Sequence, residues 1–331
     1  SRPSVCSNIT RVENGPRYDT YAEQIDRFTF YNDDHLVVVA VSNGTGLGSP
    51  ETAKNALAVG ATRDYPLLDA FCSGGAGPTP DGRRRPDVLA PGCGIASAVG
   101  VSCFTKPLSG TSMAAAATSG AAALLRQYLA DGYLGANQPD ESRSIEPTGA
   151  LLRALLVAGS ADTPAMPGVL HPREGFGRPV LERALPVPGG AAGLHVQQRS
   201  NNTSEALATG DVLRYRFSID SAQPFTVVLA FSDAPAPIGA AYAPVNDLDL
   251  VVRSPSGAIY FANAFDADGD SLPNAAGPDT LNTIERVSLD LAEPGVWEVL
   301  IEASAVNVGS QGFGLAVVGA AEPRGATLAD F

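Results

Sequence analysis

Leu36-Val37-Val38-Val39-Ala40-Val41 runs without a polar position and is mostly β-branched. That is the pattern of a strand covered on both faces, as in a parallel sheet. Ala56 to Ala61 and Asp87-Val88-Leu89-Ala90 repeat it, the second stopped by Pro91-Gly92. Helical spacing lies around these runs. Tyr18, Tyr21, Ile25 and Phe28 fall on one face of a helix within residues 17–32. Residues 111–131 predict a helix almost free of charge, and Pro147 to Ala158 predict another, with Pro147 suited to a first turn. Helices alternating with covered strands predict an α/β domain with a doubly wound, mostly parallel sheet over residues 1–185. In such sheets function collects beyond the carboxyl ends of strands. The turn-rich loop Ser42-Asn43-Gly44-Thr45-Gly46 follows one such end.

Near residue 185 the texture changes. Leu185-Pro186-Val187-Pro188-Gly189-Gly190 reads as a linker. Beyond it the period drops to two: Leu213, Tyr215, Phe217 and Ile219 alternate with Arg214, Arg216 and Ser218. Trp297, Val299 and Ile301 alternate with Glu298, Leu300 and Glu302. Phe225 to Phe231, Leu248 to Val252, Ile284 to Leu291 and Phe313 to Val318 add strands with turns between them. Residues 191–331 are therefore expected to form an all-β sandwich or jelly roll.

The length of 331 residues allows two cores. A net charge of −13 argues against nucleic acid as a partner, and no stretch is long and apolar enough to predict a membrane span. The start Ser-Arg-Pro, without a methionine or an apolar leader, suggests a mature or partial product. Four cysteines (Cys6, Cys72, Cys93, Cys103) allow three complete pairings. The short segment between Cys93 and Cys103 favours that pair, leaving Cys6 with Cys72. Asn8-Ile9-Thr10, Asn201-Asn202-Thr203 and Asn202-Thr203-Ser204 are glycosylation acceptor patterns. Together these features point to a secreted, disulfide-containing glycoprotein.

Candidate chemistry centres on Gly110-Thr111-Ser112-Met113-Ala114. A serine in the first turn of a buried helix sits where free backbone N–H groups and the positive end of the dipole converge. Gly110 lets the backbone approach a substrate, Thr111 stands beside it, and Ser112 is placed as a nucleophile with oxyanion donors nearby. The plainer reading is a helix start capped by Thr111 or Ser112.

Taken in order, several segments resemble the subtilisin-like serine proteases, or subtilases. The pentapeptide, with Gly120 further on, resembles the nucleophile motif, and Asn43 resembles the family's oxyanion asparagine. Gly77-Pro78-Thr79-Pro80-Asp81-Gly82 and Arg85-Pro86-Asp87-Val88-Leu89-Ala90-Pro91-Gly92 are similar to the stretch preceding the serine, and Gly175-Phe176-Gly177-Arg178 to the closing element. Asn246-Asp247-Leu248-Asp249-Leu250-Val251-Val252, Ser254-Pro255-Ser256-Gly257, Asn282-Thr283-Ile284-Glu285 and Phe313-Gly314-Leu315-Ala316-Val317 are similar to the β-barrel appended to the oxidant-stable alkaline branch. The resemblance implies a serine endopeptidase acting on protein or peptide substrates. It also implies that the triad aspartate and histidine come from a segment not in this chain, such as a separate N-terminal fragment, so that the chain alone is inactive. His35, His171 and His195 match no base motif. Ala116 stands where the family has proline, Val41-Ser42-Asn43 replaces a smaller lead, and Cys6-Ser7-Asn8-Ile9-Thr10 replaces the substrate-pairing strand. These departures support the alternative, an inactive structural or binding protein on the same scaffold.

Asp247 and Asp249 bracket Leu248 and so face one side of a strand, and Asp266-Ala267-Asp268-Gly269-Asp270 is a loop able to wrap a hard cation. The related barrels bind calcium. The resemblance implies a structural calcium held by Asp247, Asp249 and Glu285.

Overall fold

The computed structural model describes residues 4–8, 15–100, 103–135, 138–163, 171–186, 193–319, 322–323 and 327–328. Its first half is built on strands β1 (Val5–Asn8), β2 (Leu36–Ala40), β3 (Leu57–Arg63), β4 (Phe71–Ser73), β5 (Val88–Ala98) and β6 (Thr105–Ser109). They form one sheet in the order β1-β2-β3-β5-β6, with β4 on the side of β3. The first four in that order are parallel, and β6 returns antiparallel on β5. Helices α1 (Thr20–Tyr31), α2 (Thr111–Ala130) and α3 (Gly149–Ala158) cover it. Val37 and Val39 pack toward the α1 side, whereas Leu36 and Val38 pack with α2 and α3. Both faces of β2 are thus covered, as its unbroken apolar run predicts.

Three local expectations change. Tyr21 and Phe28 on α1 are 49% and 41% exposed, while Ala22, Asp26, Thr29 and Phe30 are buried. The reason is polar: Asp26 accepts from Lys54 N, Asn55 N and Tyr18 OH, which turns that edge of the helix inward. Pro91-Gly92 does not stop β5. The strand runs on to Ala98, and a Cβ on Gly92 would lie 2.7 Å from Ala61 Cβ and 2.8 Å from Gly110 O, so glycine permits the crossing. Pro147 lies outside α3, whose cap is Thr148, accepting from Leu151 N at 3.1 Å.

The cysteines also pair differently. Cys72 and Cys93 are bonded, Cα atoms 6.4 Å apart, and Cys103 is free and exposed. Strands β4 and β5 both pair with the end of β3, with Thr62 opposite Phe71 and Arg63 opposite Cys93, and both pairings are irregular there, where residues 72 and 93 come within bonding distance. The expected Cys93–Cys103 and Cys6–Cys72 pairs are therefore replaced by one that short sequence separation does not reveal. Asn201 is committed internally: Nδ2 donates to Phe30 O and Ser232 O, and Oδ1 accepts from Gln311 and Gly312. The Asn8 pattern extends into residues 9–10, outside the described residues.

A two-stranded ribbon, β7 (Ser160–Ala161) and β8 (Arg178–Pro179), closes the first half. Most of the expected linker, residues 187–190, lies outside the described residues. The second half holds β9 (Leu194–Arg199), β10 (Val212–Ile219), β11 (Gln223–Ala230), β12 (Asp247–Arg253), β13 (Ile259–Phe265), β14 (Ser271–Pro273), β15 (Ile284–Ala292), β16 (Gly295–Ala305) and β17 (Phe313–Val318). They form two antiparallel sheets, β14-β13-β12-β16-β10 and β15-β11-β17-β9. Leu213, Tyr215, Phe217, Trp297, Val299 and Ile301 meet Phe225, Val227, Leu315 and Val317 in the sandwich core.

The halves share a second core. All ten residues of α3 are buried, and Leu151 to Val157 pack with Val228, Ala230, Ala316 and Val318. Gly314 passes so close that a Cβ would meet Leu151 N at 2.3 Å. Arg153 reaches across to Phe231 O at 2.7 Å, and Lys54 pairs with Asp233 at 2.6 Å, both side chains fully buried. The β half is thus a continuation of the α/β core.

Candidate active site

The start of α2 is shaped by Gly110, which has φ 151° and donates its N–H to Gly92 O at 2.8 Å. A side chain there would be strained and would place its Cβ 3.2 Å from Asn43 Oδ1. Asn43 follows the carboxyl end of β2, in the loop expected to carry function. Thr111 N donates to Asn43 Oδ1 at 2.9 Å. A backbone N–H can only donate, so this bond fixes which end of the amide faces inward. Nδ2 lies on the other arm, 3.5 Å from the place a Gly110 Cβ would take.

Ser112 follows, half-buried, as the second residue of the helix. Its neighbours' N–H groups are engaged, Thr111 N by Asn43 and Met113 N by Gly110 O at 3.1 Å. Among the described residues no hydrogen bond engages the N–H or hydroxyl of Ser112. One hydroxyl and two donors are therefore collected at a helix N-terminus, where the dipole favours negative charge. Thr111, expected beside the substrate, is 1% exposed and turned inward, its hydroxyl donating to Val41 O. It acts as a strut for Asn43. Sequence reasoning missed Ser73, whose Oγ lies 3.2 Å from Asn43 Oδ1. No local pattern marks it, because only the tertiary placement of β4 brings it there.

No described histidine reaches Ser112. His35 sits before β2, at the opposite end of that strand from Asn43, against Asp34 and Phe28. His171 Nδ1 accepts from Arg173 N, and His195 packs on Phe217 in the sandwich.

The acidic residues gather in the β half. Glu285 and Asp249 are buried and Asp247 is half-buried. Glu285 Oε2 accepts from Leu250 N at 2.6 Å and Asp249 Oδ2 from Ser304 Oγ, while Glu285 Oε1 and Asp249 Oδ1 have no hydrogen-bond partner among the described residues. Burial, and then the neighbouring Asp249, Asp279 and Asp233, push the Asp247 carboxyl up to about 7. Burial raises Glu285 well above the usual carboxylate range, with Asp279 and Asp249 adding to it. Arg84, from the first half, faces this group, its Nη1 3.9 Å from Asp279 Oδ2 and its Nη2 donating to Asn263 O. Neither Arg84 nor Asp279 was marked by the sequence. Among the described residues no three acidic, histidine or cysteine side chains are grouped to hold one ion. The Asp266–Asp270 loop closes on itself, Asp266 Oδ1 accepting from Asp268 N, Gly269 N and Asp270 N.

A Subtilase family profile (Peptidase_S8) matches residues 5–177, just over half of the chain and including both Asn43 and Ser112. The chain belongs to the subtilase family. It is 26% identical over 264 residues to the serine protease/ABC transporter B family protein tagA of Dictyostelium discoideum, covering 73% of this chain and 15% of that protein. The related tagB of the same organism is 27% identical over 298 residues, covering 72% and 15%. The chain thus spans about a seventh of these relatives. Among solved structures, the prenylagaramide maturation protease PagA is 25% identical with a TM-score of 0.38, over 53% of this chain and 59% of that one. The PatG macrocyclase in complex with peptide is 23% identical with a TM-score of 0.39, over 53% and 48%.

One surface of this subtilase departs from the sequence expectation. Helix α2, read as lying deep in a core, exposes Ala116, Ala117, Gly120, Ala123 and Leu124, the last at 58%. Among the described residues the outer edge of β1 has no strand partner either. No helix among the described residues is long and apolar enough to cross a membrane.

Proposed function

We propose that Ser112 is the nucleophile of a subtilisin-like serine endopeptidase and that its own N–H and Asn43 Nδ2 hold the oxyanion. The Thr111 N–H to Asn43 Oδ1 bond carries this reading, because it commits the amide oxygen to the helix start and leaves the Nδ2 donor on the other arm, next to Gly110. In acyl transfer the Ser112 hydroxyl attacks the peptide carbonyl while its proton passes to a base. That base and its aspartate belong to a complementing segment. The apolar face of α2, with small residues that admit close packing, and the open edge of β1 are the surfaces it would cover. The substrate is a protein or peptide, Gly110 leaves room for its backbone, and the disulfide fits an oxidising, extracellular setting. The β half, which resembles that of the oxidant-stable alkaline branch, steadies the catalytic half through α3.

Calcium is proposed as a structural ion at Asp247, Asp249 and Glu285. Two oxygens without partners support it, and binding would require side chains to turn, since three do not converge as folded.

A second reading, an inactive binding scaffold, is favoured by the lack of any described base near Ser112. Fluorophosphonate labelling of the full-length protein, against Ser112→Ala, separates the two. Labelling that vanishes in the variant supports the protease; a full-length protein that never labels supports the scaffold.

A further inference from the structure

We infer that Ser73, tethered by the Cys72–Cys93 disulfide, is a positioning residue for the Asn43 amide. Asn43 Oδ1 has room for two donors. Thr111 N takes one place at 2.9 Å; the Thr111 hydroxyl also lies 3.1 Å from this oxygen, but its single proton is directed to the closer Val41 O. Ser73 Oγ, at 3.2 Å, is the donor for the second. Asn43 is an exposed residue in a loop, so one bond leaves its amide free to rock about that contact. Two bonds from different directions fix the plane in which Nδ2 points.

The chain around Ser73 is built as a strap along that loop. Gly75 N donates to Ser42 O at 2.7 Å and Ala76 N to Thr45 O at 3.0 Å. A Cβ on Gly75 would meet Gly46 O at 2.3 Å, so the two segments touch backbone to backbone. The disulfide ties the strap's root to β5 one residue before Ser73. On β5, Gly92 O, adjacent to Cys93, accepts from Gly110 N at 2.8 Å. The contacts close into a ring: Asn43, Ser73, Cys72, Cys93, Gly92, Gly110, Thr111 and back to Asn43. Strand pairing makes β4 a short three-residue attachment to β3, and the covalent bond adds a tether from the strap's root to the strand that meets Gly110.

Ser73 acts through Asn43 and touches neither substrate nor nucleophile in this role, which rests on the proposed oxyanion function of Asn43. Two readouts keep that function and the positioning apart. In the chain itself, the side-chain amide of Asn43 is followed by nitrogen–proton NMR in wild type, Ser73→Ala, Ser73→Thr and the Cys72→Ser/Cys93→Ser double variant. Wild type and Ser73→Thr are expected to show one ordered amide, and Ser73→Ala and the double variant a lowered order parameter. An equally ordered Asn43 amide in Ser73→Ala overturns the inference. In the full-length enzyme, Ser73→Ala is expected to lower kcat roughly 3–10-fold, the scale of one net hydrogen bond, with KM unchanged and Ser73→Thr restoring the rate. An unchanged kcat also overturns it. An amide that loosens in a protein never labelled at Ser112 leaves the positioning standing and removes the protease.

Discussion

The start of α2 and the acidic cluster of the β half are opposite solutions to leaving polar groups uncommitted. Around Ser112 the acceptor Asn43 Oδ1 is supplied with donors, and what remains over is the N–H of Ser112 and the outward arm of an exposed amide. In the cluster the surplus is of acceptors, Glu285 Oε1 and Asp249 Oδ1, on buried side chains beside other carboxylates. Spare donors at a helix rim are solvated at rest and can exchange water for a developing oxyanion. Spare acceptors inside the fold have no such exchange. They hold protons at raised pH or wait for a cation. On the proposed function the first arrangement is readiness for chemistry, and the second is a constraint on stability.

The sharpest way to break this comparison is Asn43→Asp. An aspartate oxygen accepts from Thr111 N as the amide oxygen does and gains from the helix dipole, so melting should stay within about 2 °C of wild type. The outward arm becomes an acceptor bearing charge, and kcat of the full-length enzyme should fall ~10²–10³-fold. Steady-state kinetics beside a thermal scan reads both. Retained turnover would mean that the donor surplus at this corner is not catalytic.

Arg84→Met tests the other pole. The guanidinium is the first half's contribution to the cluster, and methionine keeps most of its stem while removing the charge. Its side chain is about a third exposed, so screening limits the loss to roughly 1–2 kcal/mol, larger at pH 8 than at pH 5. Chemical denaturation at the two pH values checks it. A loss of equal size at both would assign Arg84 to packing instead.

The contrast also explains what was legible in the chain. Gly110, Thr111 and Ser112 are consecutive, and Asn43 closes a strand whose apolar run is unmistakable, so local pattern reached the start of α2 and the loop that meets it. The alternation of Leu213, Tyr215, Phe217 and Ile219 reached the sandwich for the same reason: one face is wet. Ser73 and the Cys72–Cys93 bond stayed hidden because they depend on β4 and β5 both meeting the end of β3, a tertiary arrangement that leaves no trace in sequence spacing. The inward edge of α1 was misread because Asp26, a charged residue, is what that edge buries. Arg84 and Asp279 meet only because α3 and the seam bring the halves together, a long-range fact with no local sign.

The smallest expected effect is the most diagnostic of the cluster's chemistry. Burial gives Asp247 and Glu285 higher proton affinity folded than unfolded, so the folded state binds more protons above the ordinary carboxylate range, for Asp247 up to about 7. Stability from these groups is then fully present in acid and is lost as pH rises, for Asp247 through about 7. In chelator, Tm should fall from pH 5 to pH 8. Glu285→Gln keeps the shape and an oxygen able to accept from Leu250 N but removes a charge. It should match wild type at pH 5, exceed it by about 1 kcal/mol, or roughly 2–4 °C, at pH 8, and flatten the profile. Added calcium separates the two fates of a spare acceptor. If the ion binds, it raises wild-type Tm at pH 8 and leaves Glu285→Gln nearly unmoved. A wild type indifferent to calcium yet still falling with pH would mean the cluster is answered by protons and Arg84 alone, and a profile flat in pH would mean that its acceptors are not in surplus.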